Sequence, residues 1–169
     1  MTQKWIVRMG SCMLVLMLWV SKLPAEAAEN MRFYGTLIAP PPCQINDGRV
    51  IEVNFGDDLL TTKIDGVNYR KSIDYTLDCS AAGSNAIRMQ IQGAGAWFDG
   101  SVLATVERRD LGIAIKVGSS DFPLSINSWV ALSSNSTKPA LAAVPVKASG
   151  SQLDSGRFSA GATLLFEYQ

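Results

Sequence analysis

Ala162-Thr163-Leu164-Leu165-Phe166-Glu167-Tyr168 is the stretch on which the fold turns, with Gln169 alone after it. Successive side chains on an extended chain point to opposite faces. Ala162, Leu164, Phe166 and Tyr168 therefore share one face, and Thr163, Leu165 and Glu167 the other. That is a β-strand with one largely apolar side. Running to the end of the sequence, it has no following chain to cover its edge. Exposed apolar strand edges are pairing sites that folded monomers hide. A partner, or a strand from elsewhere in the chain, is expected to cover this one.

Working inward from that end, the same period of two recurs and no helical period of useful length does. Leu141–Val146 is an apolar run. Ile113, Ile115 and Val117 alternate with Ala114 and Lys116, and Ile87, Met89 and Ile91 with Arg88 and Gln90. Val50–Phe55 alternates, and Tyr69–Leu77 places Tyr69, Ile73, Tyr75 and Leu77 on one face, with Lys71 among them. Between the runs lie Asn46-Asp47-Gly48, Asp65-Gly66, Gly93-Ala94-Gly95, Asp99-Gly100, Gly118-Ser119-Ser120 and Ser149-Gly150-Ser151. Alternating runs bounded by Gly, Asn, Asp and Ser are strands and turns. Six or so short strands predict an all-β sandwich.

The opposite end carries a second short alternation. Met31, Phe33, Gly35 and Leu37 fall on one face, and Arg32, Tyr34 and Thr36 on the other. Pro40-Pro41-Pro42 then stops any pairing, because proline donates no backbone hydrogen bond. Two readings stand here: an edge strand folded back on its own domain, or a free arm that pairs with another subunit.

Residues 1–27 have the three parts of a secretory signal peptide. Lys4 and Arg8 are basic, Cys12–Val20 is apolar, and Ala25-Glu26-Ala27 fits a small-x-small cleavage site. The apolar run falls short of the ~20 residues that span a bilayer, and Lys22 and Pro24 end it. No stable membrane insertion is expected after cleavage. Removal of residues 1–27 takes the counts from 15 basic and 15 acidic to 12 and 14. It also takes Cys12 and leaves Cys43 and Cys79, which in an oxidising compartment are most simply one disulfide. Their spacing is not C-x-x-C, and the sequence contains no histidine to complete a zinc site. The missing histidine also excludes Ser-His-Asp and Cys-His catalysts. The balanced charge argues against nucleic acid, which draws a basic excess.

At this point the sequence resembles a family: the pilus (fimbrial) subunits of the chaperone–usher pathway. Phe33-Tyr34-Gly35-Thr36-Leu37, followed by Pro41-Pro42-Cys43-Gln44-Ile45, is similar to their N-terminal extension and first cysteine. Val53-Asn54-Phe55-Gly56, Tyr75-Thr76-Leu77-Asp78-Cys79 and Leu111-Gly112-Ile113-Ala114-Ile115 resemble three of their strands. Gly156-Arg157-Phe158, with a glycine fourteenth from the end and Tyr168 next to last, resembles their C-terminal motif.

The resemblance implies an incomplete immunoglobulin-like β-sandwich lacking its last strand. It implies residues 1–27 as signal peptide, 28–42 as donor-strand extension and 43–169 as pilin domain. Met31, Phe33 and Leu37 would be donor plugs, with Gly35 where the groove is too tight for a side chain. Gly156, Ala162, Leu164, Phe166, Tyr168 and Gln169 would form the groove edge that faces the chaperone. The expected partners are a periplasmic chaperone, an outer-membrane usher and neighbouring subunits, with no cofactor, metal or catalytic residue. The destination is a surface fimbrium, in a minor, tip or adaptor position, with a major rod subunit as the alternative. A self-contained secreted carbohydrate-binding module is the competing reading from another class.

Three remaining signals read as structural. Asp57-Asp58 is expected to be a turn, and Arg108-Arg109-Asp110 a solvated charge cluster. Trp97, Phe98 and Trp129 are expected in core or loop packing rather than on a sugar-binding platform.

Overall fold

The computed structural model describes residues 31–37, 43–80, 86–132 and 138–168. The expected signal peptide, the triple proline and Gln169 therefore lie outside the described residues. The chain falls into two units divided between Ile38 and Ala39. In the first, residues 31–37 have no regular secondary structure and every side chain is exposed.

The second unit is all β. Its strands are β1 (Gln44–Ile45), β2 (Lys71–Ile73), β3 (Leu77–Asp78), β4 (Ile87–Gly93), β5 (Gly95–Ala96) and β6 (Asp99–Ala104). They continue with β7 (Leu111–Val117), β8 (Phe122–Leu124), β9 (Val130–Ala131), β10 (Leu141–Lys147) and β11 (Ala162–Tyr168). One sheet runs β2-β10-β7-β6-β5, with β8 also paired to β7; a second runs β11-β4-β9; β1 and β3 form a separate ribbon. All pairings are antiparallel.

The core lies between the two larger sheets. Met89 and Ile91 of β4 meet Leu103 of β6, Ile113 and Ile115 of β7, and Leu141 and Ala143 of β10. In β4 the buried residues alternate with Arg88, Gln90 and Gln92, as its sequence dictates. β10 lies between β2 and β7, and residues 141–145 are buried on both faces. Pro145 falls past the part of β10 that pairs with β2, the kind of position where a strand tolerates proline. The expected Asn46-Asp47-Gly48 turn is present, with φ of 49°, 51° and 74°. Those three residue types tolerate left-handed backbone best.

Cys43 and Cys79 are disulfide-bonded, Cα to Cα 4.4 Å. The bond joins the chain just before β1 to the chain just after β3. Ile87, Leu132, Phe166 and Tyr168 pack around it.

Two expected strands differ. Tyr69–Leu77 is not one strand. Tyr69 is left-handed at φ 61°, and its hydroxyl accepts a bond from the Leu60 N–H at 3.0 Å. Only Lys71–Ile73 pairs with β10, and Leu77–Asp78 pairs with β1. At the crossing, the Tyr75 hydroxyl donates to the Pro139 carbonyl at 2.7 Å. Burial pushes that hydroxyl well above its ordinary pKa. Val50–Phe55 has no strand partner among the described residues, although its alternation holds: Ile51, Val53 and Phe55 are half-buried while Glu52 and Asn54 are exposed.

Candidate functional site

That unpaired segment forms one wall of an open groove of about 1440 Å³. The other wall is residues 153–161, which also lie outside every strand and lead directly into β11. The floor is the core itself: Ile91, Leu103, Ile113, Ile115, Leu141 and Ala143 line the groove. An apolar core is thus open along one side between two stretches of chain with no ladder. Backbone N–H and C=O groups seek partners wherever water is excluded, so such a slot is chemically fitted to one more extended strand. Phe55 and Phe158 reach towards each other from the two walls, ring centroids 5.8 Å apart.

β11 continues from the second wall and, among the described residues, pairs with β4 alone, from Ala162 opposite Gly93 to Tyr168 opposite Ile87. It is a sheet edge, as its sequence predicts. Leu164 and Phe166 pack on the main core, and Phe166 and Tyr168 on the disulfide. Ala162 is exposed instead. On the outer face, Arg88 of β4 and Glu167 of β11 form a cross-strand ion pair at 2.8 Å. The same guanidinium lies 4.5 Å from the half-buried Trp129 ring centroid.

The second wall is tied down by the β6–β7 connection. The Val106 N–H donates to the Ser159 carbonyl at 2.9 Å. Glu107 accepts from the Ser159 N–H at 2.6 Å and from its hydroxyl at 3.0 Å. Arg108 Nη2 donates to the Ser155 carbonyl at 2.7 Å. Gly156 has φ of +129°, and a Cβ there would overlap the Arg108 guanidinium. The glycine singled out in the sequence therefore has two physical reasons to be one.

Arg108-Arg109-Asp110 is accordingly not a solvated cluster. Arg108 is half-buried and lines the groove. Arg109 sits 5.3 Å over the Trp97 ring, and Asp110 accepts from the Trp97 Nε1–H at 3.0 Å. Of the two packings expected for Trp97, loop packing is the one present: it is 59 % exposed at the tip of the β5–β6 hairpin, edge-on to Phe98. The hairpin turns at Trp97-Phe98, and Asp99-Gly100 opens β6. No sequence pattern signals the wall contacts, which join residues about fifty positions apart.

Desolvation pushes the Glu107 carboxyl up, but the Ser159 bonds and nearby Arg157 outweigh it and leave the pKa below 4.5. A depressed carboxylate stabilises the fold above its unfolded pKa, and that share is lost as pH falls through the folded value. The Ser159 amide should therefore stay protected from hydrogen exchange at pH 6 and at pH 5. It should lose protection only as pH falls below the ordinary range of a glutamate carboxyl, with Glu107→Gln removing this pH dependence.

Phe33 is 88 % exposed, Met31 and Leu37 are also strongly exposed, and nothing lies within 4 Å of where a Gly35 Cβ would stand.

A family model described as fimbrial protein matches residues 31–169. The chain belongs to the fimbrial protein family. The fimbrial-like protein YfcR of Escherichia coli (strain K12) is 36 % identical over 174 residues, covering all of this chain and 97 % of that one. YfcQ of the same organism is 35 % identical over 157 residues, covering 90 % and 96 %. Among solved structures, the P pilus rod subunit PapA has a TM-score of 0.60 at 21 % identity. It covers 76 % of this chain and 100 % of its own. The P pilus adaptor subunit PapF has a TM-score of 0.56 at 24 % identity, covering 78 % and 98 %. At these identities the structures speak for the fold: this fimbrial subunit has the open, immunoglobulin-like sandwich of pilins, as the resemblance implies. Its family is a structural one, not a family of enzymes.

Proposed function

We propose that this fimbrial subunit polymerises by donor-strand exchange. In this reading residues 1–27 are the signal peptide, residues 28–42 the donor arm, and residues 43–169 the pilin domain. A periplasmic chaperone fills the groove in transit. At the outer-membrane usher the arm of a neighbouring subunit replaces the chaperone, and the product is a surface fimbrium that serves cell adhesion.

The observation that carries the reading is the groove: a hydrophobic floor between two walls that have no ladder partner among the described residues. Strand addition suits it, since main-chain hydrogen bonds supply affinity and alternate side chains in pockets supply register. Lengths agree as well. At about 3.3 Å per residue, Met31 to Leu37 spans roughly 20 Å, and the wall from Ile51 to Gly56 roughly 17 Å. Met31, Phe33 and Leu37 are the plugs. Leu164, Phe166, Tyr168 and, outside the described residues, Gln169 form the edge that meets the chaperone. The Pro-Pro-Cys sequence ending at Cys43 supports a minor or adaptor position over a major rod subunit.

The experiment is co-production with a periplasmic pilus chaperone followed by pull-down. The subunit should be recovered with the chaperone, and should be degraded or aggregate without it. A soluble monomer made in full yield without a chaperone would sink the reading. It would favour the self-contained binding module, for which the exposed Trp97 is the supporting observation.

A further inference from the structure

The loop between β6 and β7 is hydrogen-bonded to the second groove wall. Three groups, the Val106 N–H, the Glu107 carboxylate and the Arg108 guanidinium, hold Ser155 and Ser159. Thr105, itself buried, stiffens the loop from within. Its hydroxyl lies 2.6 Å from the Arg108 carbonyl and 3.1 Å from that of Leu111. Leu111 opens β7, whose Ile113 and Ile115 form part of the groove floor. Loop, floor and wall are thus one connected piece. Gly156 lies in the middle of the held stretch, where only the absence of a Cβ leaves room for the guanidinium.

The opposite wall has no such tie. Among the described residues, the bonds around 51–57 are local, as in the Gly56 N–H donating to Asn54 Oδ1 at 2.8 Å. One wall is held by long-range hydrogen bonds, the other, among the described residues, by the packing of Ile51, Val53 and Phe55 on the core. A slot that must grip a strand from both sides needs at least one edge already in place, because ordering an edge during binding costs backbone entropy.

We propose that Arg108, supported by Glu107, is a positioning residue that sets the 153–161 wall at the place an inserted strand requires, and that glycine at 156 exists to receive it. The inference rests on the groove being a strand acceptor. Arg108 acts through the wall, by holding the Ser155 carbonyl and filling the space beside Gly156. With the wall released, an inserted strand loses its fixed edge and leaves faster, while the rest of the sandwich is unchanged.

The test uses the full chain co-produced with a pilus chaperone, the complex being purified from the periplasm. The exchange of bound for labelled chaperone gives a dissociation rate, and hydrogen exchange reports the amides of residues 155–160. Arg108→Ala should dissociate roughly tenfold faster, the order expected for losing a charge-assisted hydrogen bond, with faster exchange confined to that wall. Arg70→Ala is the control: it breaks the Arg70–Asp121 pair of 2.9 Å, away from the groove, and should leave the rate unaltered. Gly156→Ala should be severe in the wild-type background and milder beside Arg108→Ala, a coupling that independent sites do not show. If Arg108→Ala yields too little complex, Glu107→Gln carries the same expectation with a smaller rate change. Wild-type rates and wall protection in both variants would overturn the positioning role. Failure of the wild-type chain to bind any pilus chaperone would instead overturn the acceptor reading beneath it.

Discussion

Replacing both cysteines, Cys43→Ala with Cys79→Ala, should cost this subunit roughly 4 kcal/mol on the chain-entropy model of a disulfide, for a bond that spans 36 positions. Small domains have only about 5–15 kcal/mol in total, so the loss is a large fraction of what holds the fold. Alanine is the cleaner replacement because it leaves no thiol or hydroxyl in an apolar site. The damage should have a location. Phe166 and Tyr168 of β11 pack on the disulfide together with Ile87 and Leu132, so the end of the edge strand loosens first. In the chaperone-bound form, the urea midpoint should fall by about 2 M, taking a slope near 2 kcal/mol per M. The yield of complex from the periplasm should fall with it. Reduction of the wild-type complex by dithiothreitol should reproduce the shift. An unchanged midpoint with β11 amides fully protected would mean that the bond does not support the edge.

The parts of this fold that were legible in the sequence are those written in local alternation. β4, β7 and β11 each announce themselves because an apolar residue at every second position is a property of the strand alone. The cysteine pair was legible because the expected signal peptide takes Cys12 with it and leaves two thiols. Val50–Phe55 shows where this stops. Its alternation is real, yet alternation reports which side chains face the core and says nothing about whether a neighbouring backbone is present to pair. Tyr69–Leu77 broke for a related reason: a left-handed tyrosine carries no sequence mark of the kind glycine does. Arg108 was misread because the carbonyl it holds belongs to Ser155, 47 positions later. Single-sequence patterns do not register contacts at that separation. Of the groove, the residues facing the core were therefore readable, but the missing ladder and the tie that fixes one wall were not.

That same limit makes the arm the place where function separates most cleanly from stability. Phe33→Glu should leave the folding of its own subunit unchanged, since Phe33 is 88 % exposed and exposed substitutions usually shift stability by no more than about 0.5 kcal/mol. If the arm enters a neighbour's groove, the same change removes roughly 1.5–3 kcal/mol of aromatic burial and forces a carboxylate against an apolar floor. Incorporation into fibres should then fall by at least about a hundredfold, every 1.4 kcal/mol being a factor of ten. Deletion of residues 29–39 should abolish it while chaperone binding persists. Tyr34 supplies the control. It is as exposed as Phe33 but one residue out of phase, so in an inserted strand it points away from the floor. Tyr34→Glu should polymerise close to the wild-type level. The period of two is what gives this comparison its force: general toxicity, poor export or loss of a surface contact would affect neighbouring residues alike, whereas strand insertion penalises position 33 and spares position 34. Normal fibres from Phe33→Glu, counted by electron microscopy alongside normal chaperone complex, would show that the arm is not the donor.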